Sequence, residues 1–275
     1  MVFLNYYFDL SRLIEKNNSA LIKLFAWYGV FLVALGVPLL LIRSRQPVKR
    51  KCPLPCIILL FLAPLVFAMK FTLSFHFTIV TDEYRNYFWN KIISWPIYLL
   101  SLLLILYGIR QWVAKEESWF GIRNRVGGWK PYGSMILLML PLLAFASSQP
   151  GFQAVYPQFK NLSVTGNMEH ISWWKILLFE GSYGTDFITI ELFFRGFLVL
   201  AFVKWMGRDI ILPAAVFYCC IHFGKPVAEC ISSFFGGILL GIIVYHTRSI
   251  RGVLVVHLGM AWMMEVAGWL AGATQ

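Results

Sequence analysis

Three short stretches of this 275-residue chain place acids, bases and imidazoles at spacings that can do chemistry. In Ile190-Glu191-Leu192-Phe193-Phe194-Arg195-Gly196, a carboxylate and a guanidinium stand four residues apart, on one face of a helix and within pairing reach. His222 ends an apolar run and is followed by Gly224-Lys225-Pro226, which forces a turn. His257 lies inside the last apolar run, on the helix face that continues to Glu265. Two imidazoles and a carboxylate activate water in two ways. Glu191, His222 and His257 can hold Zn²⁺ with one position open to water. Alternatively, a carboxylate and an imidazole act as general base without metal, while other groups stabilise the oxyanion. The cofactor expectation is therefore none or Zn²⁺. Taken singly, the stretches also have structural readings: Glu191 and Arg195 as an internal salt bridge, His222 as a satisfied residue at a helix end. Their order along the chain favours chemistry.

Groups of this kind must be held by rigid elements, and composition says which. The chain is 59% hydrophobic and 13% charged, with a mean hydropathy of +0.69, whereas a soluble domain carries about a quarter charged residues. Only bilayer hydrocarbon accommodates that much apolar surface. Lipid cannot hydrogen-bond the backbone, so the spans are helices or a closed barrel. The apolar runs do not alternate, which excludes the barrel. They predict an all-α polytopic bundle of about eight transmembrane helices, near 21–42, 53–69, 92–109, 132–148, 184–204, 209–222, 227–246 and 252–272. The 209–222 run is short for a full crossing. The first four runs are nearly free of ionisable residues. The last four hold Asp186, Glu191, Arg195, His222, Glu229, His257 and Glu265, and a charge at the bilayer centre costs at least about 2.5–3.5 kcal/mol. Such a concentration implies an enclosed polar cavity in the second half. Glu180 reads as interfacial or as lining its entrance.

The net charge of +11 does not signal nucleic acid. The basic residues lie in short stretches between apolar spans and are more numerous in the loops around 43–51, 110–130, 204–208 and 248–251. The positive-inside rule puts those loops in the cytoplasm and both termini outside. Residues 2–13 are aromatic and amphipathic, suited to the interface. Cys52 and Cys56 lack a second pair at zinc spacing and read as packing residues. Ser233, Gly237 and Gly241 form a small-residue stripe for close helix contact. The longest external segment is 149–174.

The motif order resembles the CPBP intramembrane proteases, which include the CAAX prenyl endopeptidases and the bacteriocin-processing proteins. Members carry Glu-Glu-x-x-x-Arg, then Phe-x-x-x-His, then His-x-x-x-Asn or Asp. Glu191–Gly196 is the most specific match, and the resemblance covers roughly 130–270. It implies that Glu191, Arg195, His222 and His257 are the catalytic set. In the family the first Glu works with the first His on water, while the second His and the Asn polarise the scissile carbonyl. This chain departs at three positions: Ile190 stands for the first Glu, Tyr218 for the Phe, and Ala261 for the Asn or Asp. Asp186 and Glu265, one helical turn from positions 190 and 261, are possible substitutes.

The resemblance divides the chain into residues 1–130, with about three transmembrane helices and basic cytoplasmic loops, and a protease-like core over 131–275 with about five. It implies an intramembrane endopeptidase that hydrolyses a peptide bond of a membrane-associated or lipidated substrate. The expected partners are the bilayer and a peptide or lipidated protein, with no nucleic acid, and the expected location is a bacterial inner membrane. Ile190 and Ala261 leave open an inactive relative that binds a membrane partner. A transporter would also place ionisable residues in the membrane, but the sequence lacks the inverted repeats or paired broken helices of that class.

Overall fold

A computed structural model describes residues 1–45, 51–113, 119–122, 124–159 and 172–273. Among the described residues the regular structure is helical throughout, without a strand. Two short helices, α1 (Val2–Phe8) and α2 (Leu10–Glu15), precede the long ones. The long helices are α3 (Ala20–Ser44), α4 (Leu54–Thr72), α5 (Glu83–Val113) and α6 (Lys130–Ser147). They are followed by α7 (Trp173–Glu191), α8 (Ile211–Cys220), α9 (Val227–Thr247) and α10 (Arg251–Ala273). Leu192–Ala201 continues α7 as a π-helix. Helix starts follow local chemistry: the Ser19 hydroxyl accepts from the Ile22 amide at the head of α3, and Pro53 and Pro226 precede α4 and α9. Pro38, Pro64, Pro96 and Pro141 sit inside helices, a placement that neighbouring helices in a membrane tolerate.

Six of these helices are long and apolar enough to cross a membrane: α3, α4, α5, α6, α9 and α10. They correspond to six of the eight expected runs. The remaining two are the runs that carry Asp186, Glu191, Arg195 and His222. The run expected at 184–204 begins earlier, at Trp173, and is divided between α7 and its π continuation. The run at 209–222 is the ten-residue α8, about 15 Å long, so its shortness is real. On α6, Leu137, Leu138, Leu142 and Phe145 are 65%, 74%, 61% and 70% exposed. Large apolar side chains exposed together on one helix require hydrocarbon around them. The chain is an integral membrane protein.

The chain divides into two compact units. One comprises Met1–Ser74, Tyr107–Asn124 and Leu192–Ile250. Its core is a ring cluster in which Phe31 and Phe217 stand 4.9 Å apart and Phe67 and Phe193 stand 4.7 Å apart. In this unit α8 lies close against α9. A Cβ on Gly237 would come within 3.2 Å of the Ala215 backbone, and one on Gly241 within 3.0 Å of Ile211. The small-residue stripe serves the close contact expected of it.

The other unit comprises Phe75–Leu106, Arg125–Glu191 and Arg251–Gln275. Phe88, Ile92, Phe179 and Tyr183 form its buried core, with Trp95, Phe159 and Phe187 packed on it. Here α10 meets α6, where Tyr132 fills the space beside Gly252. Cys52 and Cys56 are joined by a disulfide, which corrects the packing role expected of them. Their four-residue separation bridges the chain just before α4 to its first turn. Of the external segment 149–174, residues 160–171 lie outside the described residues.

Candidate active site

Glu191 ends α7 and has no solvent exposure. The approach of α10 is set at Gly184, where a Cβ would meet Leu258 at 3.3 Å and Trp262 at 3.6 Å. One turn before Glu191, Phe187 packs edge-on against the His257 ring with centroids 4.9 Å apart. These contacts bring His257 onto the carboxylate, and its Nδ1–H donates to Glu191 Oε1 at 2.7 Å. That length is the one expected when donor or acceptor carries charge. A carboxylate on Nδ1 also orders the tautomer: in the neutral ring the proton sits on Nδ1, and Nε2 is the basic nitrogen.

The two proposed substitutes lie in the same unit. Asp186 is on α7, one turn and a residue before Glu191. Glu265 follows His257 by two turns on α10 and is buried at 6% exposure. Its Oε1 accepts the Gln158 backbone N–H at 3.2 Å, and the Gln158 side chain donates to the Tyr183 hydroxyl at 3.2 Å. Glu265 thus ties the segment after the short helix Pro150–Gln153 onto α10. Three residues farther along α10, a Cβ on Gly268 would fall 2.5 Å from the Tyr156 backbone, so only glycine admits this approach. The Glu180 carbonyl accepts the Trp262 indole N–H at 3.4 Å.

Arg195 and His222 belong to the other unit. Arg195 lies in the π-helix with 2% exposure, and its guanidinium carbon stands 4.3 Å from the Tyr218 ring centroid. A cation over an aromatic face at this distance gains about 0.5–2 kcal/mol, more as water is excluded. The Tyr218 carbonyl accepts His222 Nδ1–H at 3.0 Å, and the two rings pack edge-on at 4.8 Å. A carbonyl can only accept, so His222 also keeps its proton on Nδ1 and presents Nε2 as the basic nitrogen. α8 ends just before His222. Gly224 takes a positive φ of 89° to turn the chain, and Pro226 opens α9. Lys225 pairs with Glu229 across the first turn at 3.2 Å.

Sequence reasoning read Tyr218 only as a mild replacement for the family Phe; the structure makes it the ring that supports both Arg195 and His222. The available signal was its helical spacing, four residues before His222. Phe187, likewise four residues before Glu191, was not singled out.

The expected zinc arrangement would draw Glu191 and His257 from one unit and His222 from the other. Among the described residues no three His, Cys, Asp or Glu groups gather at metal-binding distance. Glu191 and His257 are joined to each other by a hydrogen bond. No step is routed through a metal.

Residues 172–263 match the family model described as Type II CAAX prenyl endopeptidase Rce1-like. No curated protein and no solved structure matches the chain. The matched segment contains Glu191, Arg195, His222, His257 and Asp186, and it stops just short of Glu265. Over residues 172–263, the stretch that carries all four motif residues, this membrane protein is similar to the Rce1-like CAAX prenyl endopeptidases.

Proposed function

We propose that the chain is an intramembrane endopeptidase, hydrolysing a peptide bond of a membrane-associated or lipidated substrate. The observation that carries this reading is the fully buried Glu191 with the His257 imidazole 2.7 Å away. In this mechanism His257 Nε2 takes a proton from water as the water oxygen bonds to the scissile carbonyl carbon. The positive charge that forms on the ring is held by the Glu191 carboxylate. His257 then returns the proton to the departing amine, leaving one carboxylic acid and one amine for each water consumed. Glu191 orients and stabilises the base, and His257 does the proton transfer. The family resemblance assigned the first imidazole to water and the second to the carbonyl. With Ile190 in place of the first Glu, the carboxylate-supported imidazole is His257, and the base role moves to it. His222 and Arg195 are the remaining members of the proposed set, with Tyr218 supporting both.

A second reading is favoured by two apolar positions. Ile190 stands where the family has a carboxylate, and Ala261, 4% exposed, stands where it has an amide or acid. Under that reading the chain binds a membrane partner or peptide without turnover. The test is purified protein in detergent, with a library of hydrophobic and prenylated peptides, beside Glu191→Ala, His222→Ala and His257→Ala. Cleavage by wild type that is lost in all three variants supports the peptidase. An absence of cleavage by folded wild type, with peptide binding retained, selects the binding protein. We place the protein in a bacterial inner membrane on its apolar composition and basic loops; fractionation of the native cells tests that placement.

A further inference from the structure

Cys219 and Cys230 flank the turn that carries His222, one at the end of α8 and the other in the first turn of α9, and both are buried. Their sulfurs are 3.6 Å apart. The Cys219 thiol donates to the Cys230 carbonyl at 3.2 Å, and the Cys230 thiol points back to the Cys219 carbonyl at 3.6 Å. The close approach is not a chance of two rotamers. It continues the contact of α8 with α9 at Ala215 and Gly237 and at Ile211 and Gly241, where an added Cβ would come within 3.2 and 3.0 Å of the facing helix. A disulfide requires sulfurs about 2.05 Å apart on backbones about 4.4–6.8 Å apart. The two thiols face each other at 3.6 Å, so forming the bond asks the sulfurs to come about 1.5 Å nearer. Cys220, adjacent in sequence, faces elsewhere and lies against the Met1 sulfur at 3.9 Å.

We propose that Cys219 and Cys230 form a reversible dithiol–disulfide site that closes around the His222 turn. The oxidant is a small, uncharged peroxide. One thiol attacks the peroxide O–O bond, becoming a sulfenic acid and releasing water. The second thiol displaces that hydroxyl as water and forms the S–S bond. For each peroxide consumed, two thiols lose two electrons and two protons, and two waters form. The pair lies near one end of its helices, not midway along them, and α1 reaches the same end: the Tyr6 hydroxyl donates to the Lys225 carbonyl at 2.6 Å. Oxidation would therefore fasten α8 to α9 across the segment that presents the His222 imidazole. The site stands on this geometry and does not depend on the hydrolase reading.

The test uses the full-length protein in detergent, freed of reductant and exposed to hydrogen peroxide. It is then denatured, alkylated, cleaved after Glu229 and weighed by mass spectrometry. The expected product joins the fragment ending at Glu229 to the fragment beginning at Cys230 through Cys219, leaves Cys220 alkylated and disappears on reduction. Cys220→Ser should yield the same link, and Cys219→Ser should abolish it. Exposed Met69, at 39% exposure, reports that oxidant was delivered. Methionine oxidised while Cys219 and Cys230 both stay alkylated would overturn the proposal, as would a link through Cys220.

Discussion

Burying a carboxylate costs several kcal/mol unless a donor faces it, and the His257 imidazole is such a donor for Glu191 at 2.7 Å. Glu191→Gln keeps the volume but removes the charge that steadies a protonated ring. A fall in kcat of about 10²–10⁴ is expected, with helix content unchanged by circular dichroism. Arg195→Lys should lower stability by about 0.5–2 kcal/mol in thermal or denaturant unfolding, because an ammonium cannot lay a planar cation over Tyr218. Tyr218→Phe retains the ring and should keep most of that stability. Glu191, Arg195, His222 and His257 are candidates on residue type and spacing alone. That Glu191 pairs with His257 was not legible there: helical periodicity relates residues within a few turns, and these two are 66 apart. Glu265 shows the converse. Its face on α10 was readable, while its use in holding Gln158 depends on a chain segment that no local pattern connects to it.

At the scale of elements, close contacts decide the outcome of small substitutions. A Cβ on Gly237 would lie 3.2 Å from Ala215 and from the Tyr218 ring. Gly237→Val should therefore destabilise the protein by about 1–3 kcal/mol through overpacking, measurable as a lower Tm in detergent. Gly268→Ala puts a methyl into the Tyr156 backbone. It should release the segment that Glu265 holds, seen as faster limited proteolysis between Pro150 and Phe159; an unchanged cleavage rate would contradict the tie. Five helices fell within a few residues of their expected runs because long apolar stretches admit few other structures in lipid, whereas α5 begins nine residues earlier, at Glu83. α7 began earlier than expected because Glu180, Gly181, Ser182 and Gly184 interrupt its apolar pattern. The π geometry of Leu192–Ala201 was illegible, since a run that is apolar apart from Arg195 and Gly196 looks the same at either helical period.

At the scale of the molecule, the bilayer is the solvent that makes the exposed leucines of α6 tolerable, and it also fixes which ends face which compartment. α9 is 21 residues long, about 31 Å at the helical rise, so Lys225 and Arg248 lie at opposite ends of a full crossing. The Tyr6–Lys225 hydrogen bond puts the N-terminal helices at the Lys225 end, and the excess of basic residues in the loops around 204–208 and 248–251 predicts that this end is the external one. A membrane-impermeant thiol reagent applied outside intact cells should label single cysteines placed at Asp9 and Lys225 and spare one at Arg248; the reverse pattern would invert the assignment. The central claim is that a buried carboxylate–imidazole pair drives hydrolysis, and its most direct test is a double-mutant cycle on peptide cleavage. Residues acting as one unit lose function together. Glu191→Gln and His257→Ala should each abolish most of kcat, and the double variant should be no worse than His257→Ala alone. Full activity in Glu191→Gln, or losses that multiply in the double variant, would contradict the account.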